Sequence, residues 1–241
     1  MQVYIYRNEE QAARAATMIF ASELSKKPNA VLGLPTGDTP ISTYKRLISM
    51  NKDGLIDFSQ ARSYNLDEYV GLGPDHPASY RYFMNIQFFD HININKNNTR
   101  VPSGLGDVSR NAEAYDNAIA DAGGIDVQLL GIGHNGHIGF NEPNPRSFIY
   151  KTHIAELSAS TIEANSRMFD SIDHVPRHAI SLGIGGIMNA KRIVLIATGR
   201  GKASAIRDAV NGDITPLLPA SILKAHQNVQ FLLDQDAASL L

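Results

Sequence analysis

The 241-residue chain contains no cysteine, which excludes disulfides, thiolate nucleophiles and cysteine-bearing metal sites. Charge of neither sign dominates: 22 Lys and Arg stand against 24 Asp and Glu, for a formal net charge of −2. A nucleic-acid binder would usually show a basic face, so nucleic acid is not an expected partner. A few well-placed cations could still hold an anionic metabolite, and net charge does not report on that. No apolar run approaches the roughly 18 residues of a membrane-spanning helix, so no membrane partner is expected. The N-terminal MQVYIYRNEEQ is too short and interrupted to be a signal peptide. Linkers rich in Pro, Ser or Gly, low-complexity tracts and internal repeats are also missing. With 43% hydrophobic residues, the composition predicts one domain over 1–241, with a substantial core and a cytoplasmic location.

What is present is an alternation of short β-rich runs with helical stretches. VYIY (3–6), AVLGL (30–34), ARSYNL (61–66), IDVQLLGIG (125–133), HAISLGI, RIVLIATG and NVQFLLD read as strands. Helices are expected over EEQAARAATMIFASEL, with Asn8 as its cap, and over STYKRLISM, SYRYFMNIQFF and VSRNAEAYDNAIADAG. Two more are expected, around SASTIEANSRMF and over GKASAIRDAVNG. The fold class predicted is therefore α/β, a doubly wound, mostly parallel sheet with helices on both faces. Ligands of such sheets bind beyond the carboxyl ends of the strands. Four polar segments follow strands directly: PTGDTP, DEYVGLG, HNGHIGFNEP and GRGK. Parallel strands would place all four on one edge.

Each segment offers chemistry, and each also has a plainer account. GLPTGDTP (33–40) could cradle a phosphate with successive backbone N–H groups, although an ordinary βα turn with Thr39 as helix cap explains the same residues. It is neither a Walker A loop nor a dinucleotide fingerprint. Asp67-Glu68 ends a strand, where a carboxylate shielded by Tyr64 and Tyr69 could act as a base near neutral pH; a solvated acidic pair is the alternative. His134 and His137 lie in a glycine-rich loop, not on the helix that an HExxH metal site requires, so no metal is expected. His137 reads as an acid or base oriented by Asn135 and Glu142. Arg167 and Lys202 are cations able to pair with an anion held at PTGDTP, or simply solvated charges.

Taken in order, GLPTGDTP, NLDEYVGL, HPASY, NGHIGFNEP, ANSR and TGRGK closely resemble the glucosamine-6-phosphate deaminase family over the whole chain. The related 6-phosphogluconolactonases share the Gly-His core of the loop but lack the FNEP ending and the DEYVGL segment. The resemblance implies conversion of D-glucosamine 6-phosphate to D-fructose 6-phosphate and ammonia, with a sugar phosphate as the only partner and no organic cofactor or metal. It implies that Asp67 is the enolisation base, that His137 assists ring opening, and that Asn135 and Glu142 support it. Thr36, Gly37, Asp38, Thr39, Arg167 and Lys202 match phosphate-binding positions. A mobile lid is expected at about 155–173. Asn135 stands where long family members carry aspartate, so it cannot stabilise an imidazolium by charge.

Long members are hexamers activated by an acetylated sugar phosphate bound between basic residues and a C-terminal tail. Here Arg146 and Lys151 do not fall in that arrangement and the chain stops at Leu241. Hyperbolic kinetics and a monomer or small homo-oligomer are therefore expected. A lactonase of the same fold and a non-catalytic sugar-phosphate sensor are the competing readings. The complete set Asp67, Asn135, His137 and Glu142 favours catalysis.

Overall fold

The computed structural model describes residues 1–241. Along the chain run β1 (Gln2–Tyr6), α1 (Glu9–Lys26), β2 (Val31–Leu34), α2 (Ile41–Lys52), β3 (Arg62–Asn65), β4 (Asp67–Tyr69), α3 (Tyr80–Gln87), β5 (Thr99–Arg100) and α4 (Val108–Asp121). They are followed by β6 (Val127–Leu130), β7 (His153–Glu156), α5 (Ala159–Asn165), β8 (His178–Ser181), α6 (Ile184–Met188), β9 (Arg192–Ala197), α7 (Ala203–Asn211) and β10 (Val229–Asp234).

Seven strands form one sheet in the order β1-β10-β9-β6-β2-β3-β5, and every pairing in it is parallel. The central strands are largely apolar because helices cover both faces, with buried Gln128 of β6 as an exception. Side chains alternate across the sheet. Leu130, Leu195 and Phe231 therefore enter one core with Ile206 of α7 and Tyr115 of α4. Leu129, Val194 and Leu232 enter the opposite core with Phe20 of α1 and Tyr44 of α2. Truncating one of these, Phe231→Ala for instance, would cost about 3–5 kcal/mol.

Helix ends follow local chemistry. Asn8 accepts from the Gln11 N–H at 3.0 Å, and Glu9 and Glu10 complement the positive end of α1. After α4, Gly123 and Gly124 take φ of 85° and 79°, left-handed values that end the helix. Thr39, in contrast, does not cap α2: Pro40 occupies the cap position and no side chain bonds there.

The sheet departs from the sequence expectation in one important respect. HAISLGI does not join the parallel sheet. Its β8 is the middle strand of a separate antiparallel sheet, β4-β8-β7, with Asp67 opposite Ser181 and His153 opposite Ser181 on the other side. The DEY segment, expected as a polar turn, is thus a strand in its own right. β5 and β7 were not predicted, being two and four residues long with little apolar alternation. A third cluster, including Tyr69, Tyr80, Phe140, Leu157 and Ile162, packs the small sheet against α5.

The carboxyl ends of β9, β6, β2 and β3 lie side by side, because these strands are consecutive neighbours and parallel. The four polar segments that follow them, or in the case of DEY continue from them, meet at that edge. No helix is long and apolar enough to cross a membrane.

Candidate active site

A cleft of about 1020 Å³ opens at this edge. Thr36, Gly37, Asp38, Thr39, Asp67, Asn135, His137, Arg167 and Lys202 all line it, and Glu142 stands behind His137. Every candidate residue from the sequence is therefore drawn to one place. A smaller cavity, about 440 Å³, lies on the other side of β4 and is bordered by Glu68, Arg81 and Asn111. Its polar groups are already used: Arg81 Nη1 donates to Thr99 Oγ1 and Asn111 Nδ2 to Leu105 O.

Adjacent carboxylates on β4 have opposite fates because successive strand residues face opposite sides. Glu68, 3% exposed, is an acceptor for backbone N–H groups. Its Oε1 accepts from Tyr69 and Tyr80 and its Oε2 from Arg81, each at 2.9 Å. It thereby anchors the start of α3. Burial raises its pKa, and these three bonds oppose the rise. Asp67, 6% exposed, receives no hydrogen bond from the protein and faces the large cleft. Burial, with a smaller contribution from the Glu68 charge, pushes it up to about 8. A carboxyl in that state can accept a proton near neutral pH without first giving up a protein partner.

The glycine-rich loop after β6 brings His137 beside this group. A Cβ placed on Gly139 would lie 3.6 Å from Asp67 Oδ2, which measures how closely the loop backbone passes the carboxylate. Gly133 leaves room for the imidazole itself, since a Cβ there would meet the His137 ring at 2.3 Å. His137 Nδ1 faces Glu142 Oε2 at 3.5 Å, within charge–charge range but outside hydrogen-bond geometry. Asn135 Nδ2 donates to that same Oε2 at 2.7 Å, while Asn135 Oδ1 accepts from the His137 backbone N–H at 3.2 Å. Asn135 therefore contacts the imidazole only indirectly, through Glu142 and the backbone. Burial raises the Glu142 pKa, but His137, Thr161 and Asn135 together outweigh it and hold the carboxylate at about 2. Glu142 is anionic at all working pH values.

Cations line the same cleft. Gly37, at φ 97°, turns the chain between β2 and α2 so that Thr36 and Thr39 border the cleft. Lys202, which precedes α7, is half-buried, and burial alone lowers its pKa. Nearby His134 is lowered chiefly by the Lys202 charge and then by burial. Arg167 sits on a tight 3-10 turn, Ser166–Met168, after α5 and not on the helix expected from EANSRMF. Its Nη2 pairs with Asp38 Oδ2 at 2.5 Å. No cluster of three or more His, Asp or Glu side chains is arranged to hold a metal ion.

Two residues that sequence reasoning missed complete the geometry. Thr161 of α5 donates to Glu142 Oε1 at 2.5 Å, and Ser181 Oγ of β8 accepts from the Phe140 N–H at 2.9 Å. Neither carries a local motif. Each acts across a sequence gap that only the fold closes.

Known proteins resemble the chain in both sequence and shape. The family model of glucosamine-6-phosphate isomerases and 6-phosphogluconolactonases matches residues 7–232. A glucosamine-6-phosphate deaminase of Clostridium perfringens (strain 13 / Type A) is 52% identical over 242 residues, covering 100% of both chains. One from Thermoanaerobacter pseudethanolicus is 50% identical, covering 100% of this chain and 95% of the relative. The solved structure of a monomeric glucosamine-6-phosphate deaminase superposes with a TM-score of 0.95 at 41% identity, covering 100% of each chain. The 6-phosphogluconolactonase of Trypanosoma brucei, at 19% identity and a TM-score of 0.74 over 100% of this chain and 98% of its own, shares the fold. A parallel sheet ending in this cleft, matched from near one end of the sequence to near the other, places the chain in the glucosamine-6-phosphate isomerase/6-phosphogluconolactonase family.

Proposed function

We propose that the chain is a glucosamine-6-phosphate deaminase, converting D-glucosamine 6-phosphate and water to D-fructose 6-phosphate and ammonia. Relatives 50% and 52% identical over all of this chain support the activity. The observation that carries the mechanism is Asp67: a buried carboxyl free of protein hydrogen bonds, raised to about 8, in a cleft also lined by His137, Arg167 and Lys202.

The sugar enters with its phosphate against Thr36, the backbone N–H groups of the Gly37–Thr39 turn, Lys202 and Arg167. This remote binding energy positions carbons 1 and 2 over Asp67. His137 carries a proton between the anomeric hydroxyl and the ring oxygen, opening the pyranose to the aldehyde. Anionic Glu142 stabilises the charged imidazole that forms in passing, and neutral Asn135 holds Glu142 in place. Asp67 then removes the proton from carbon 2, giving the enolamine, and returns a proton to carbon 1. The resulting carbon 2 imine adds water and expels ammonia, leaving the ketose. The segment at about 155–173 closes as a lid that carries Arg167. The working unit is a monomer or small homo-oligomer in the cytoplasm, and the 41% identical monomeric deaminase supports the smaller assembly.

The deciding experiment measures ammonia and ketose phosphate released from glucosamine 6-phosphate. Hydrolysis of a phosphogluconolactone with no ammonia from the amino sugar would replace this reading with that of a lactonase.

A further inference from the structure

Asp38 is an odd member of a phosphate cradle. A carboxylate only accepts hydrogen bonds, so its side chain has nothing to offer a phosphate dianion. Only its backbone N–H can contribute. Its carboxylate is bonded across the cleft, 2.5 Å from Arg167, which is the cation that the proposed function assigns to the phosphate. Both side chains remain open to solvent, 66% and 61% exposed, so the pair contributes little to stability on its own. Its position gives it another consequence. One end is fixed on the turn between β2 and α2, and the other rides on the turn after α5, within the proposed lid.

We propose that Asp38 is a resident counter-ion for Arg167, holding the guanidinium while the cleft is empty and yielding it when a phosphate dianion arrives. The inference rests on the phosphate-binding reading of this cleft and adds a role for the one acidic residue in the turn. Two effects act in the same direction. Phosphate must displace a carboxylate from Arg167, and it then sits beside a like charge that reduces the local excess of Lys202 and Arg167. Phosphate affinity is thereby held below what the cations alone would give. The ketose product carries the same phosphate, so recapture of Arg167 by Asp38 also favours its departure.

The test compares the parent with Asp38→Asn and Asp38→Glu, using inorganic phosphate as the calorimetric ligand and glucosamine 6-phosphate as the substrate. Asp38→Asn is expected to bind inorganic phosphate about fivefold more tightly and to lower KM by a similar factor. Asp38→Glu, which keeps the charge, stays closer to the parent than Asn does. Unchanged or weaker phosphate binding by Asp38→Asn, with normal binding by the parent, overturns the counter-ion role and leaves the phosphate site standing. A parent that binds no phosphate and releases no ammonia overturns the site reading and this inference together.

Discussion

Thr161 donates a hydrogen bond to Glu142 Oε1 at 2.5 Å, while the other oxygen of that carboxylate faces the His137 ring at 3.5 Å. The donor sits on α5, within the segment proposed to move, and the acceptor on the loop after β6. A shift of α5 therefore alters how Glu142 is held, and through it the group that opens the sugar ring. Thr161→Val removes the donor but keeps the shape of the side chain. A hydrogen bond to a charged group contributes about 1.5–3 kcal/mol, so kcat should fall about tenfold or more with KM little changed. Thr161→Ser should restore much of the rate. A rise in KM alone would assign Thr161 to substrate binding instead.

Asp67→Asn should lose turnover by several orders of magnitude while still binding substrate, because the phosphate end is untouched. It should also change how stability responds to pH. In the parent, a carboxyl raised from its ordinary range to about 8 favours folding below about pH 4, and that contribution is lost as pH climbs through 8. The asparagine variant has no such loss. Its melting temperature should therefore gain on the parent's as pH rises from about 4 to about 8, and parallel curves would argue against a buried, raised Asp67.

The same ionisation should appear in the rate. As a base, Asp67 works only when deprotonated, so kcat/KM for the parent should rise with pH along a limb whose midpoint lies near 8. Steady-state kinetics across pH 6 to 9, at constant ionic strength, would settle it; a rate already at its plateau by about pH 6 is the contrary result.

Gly133→Ala tests the packing of the loop. The backbone there does not need a left-handed conformation, so alanine is tolerated locally, but its methyl would meet the His137 ring at 2.3 Å. The ring must then leave its place beside Glu142. Expected are a folded protein, near-normal affinity for inorganic phosphate and a kcat lowered about tenfold or more.

Lys202→Ala and Arg167→Ala should each raise KM for the phosphorylated sugar about tenfold, from loss of one charged hydrogen bond. Lys202 is the cleaner probe, since Arg167 leaves Asp38 behind without a partner. A parent-like KM in both variants would move the phosphate elsewhere.

Much of this was legible in the sequence because it is local. Strand–turn–helix alternation foretold the parallel edge, and Asn8, Gly123 and Gly124 behaved as their chemistry dictates. The four polar segments converge because their strands are neighbours, and open α/β sheets bind ligands beyond the carboxyl ends of their strands. What escaped was non-local. The antiparallel sheet joins Asp67, Ser181 and His153 from three distant stretches, β5 has only two residues, and β7, HIAE, carries no apolar run. Thr161 looks like any helical threonine until α5 docks against Glu142. The tight turn that bears Arg167 also followed an apparently continuous helical pattern, which gave no sign of where the helix would end.

Only Leu66 separates Asn65, where β3 of the parallel sheet ends, from Asp67, where β4 of the antiparallel sheet begins. That spacing fixes a parity. Side chains on β4 alternate, so inserting or deleting a single residue at this seam would present Glu68 to the large cleft and turn Asp67 toward the N-terminus of α3. Each carboxylate would then stand in the other's environment: the one that anchors α3 would face the sugar, and the one fit for proton transfer would be spent on backbone amides. Length variation at this seam is therefore closed to the chain, and a library that inserts or deletes one residue between Asn65 and Asp67 should recover no active members.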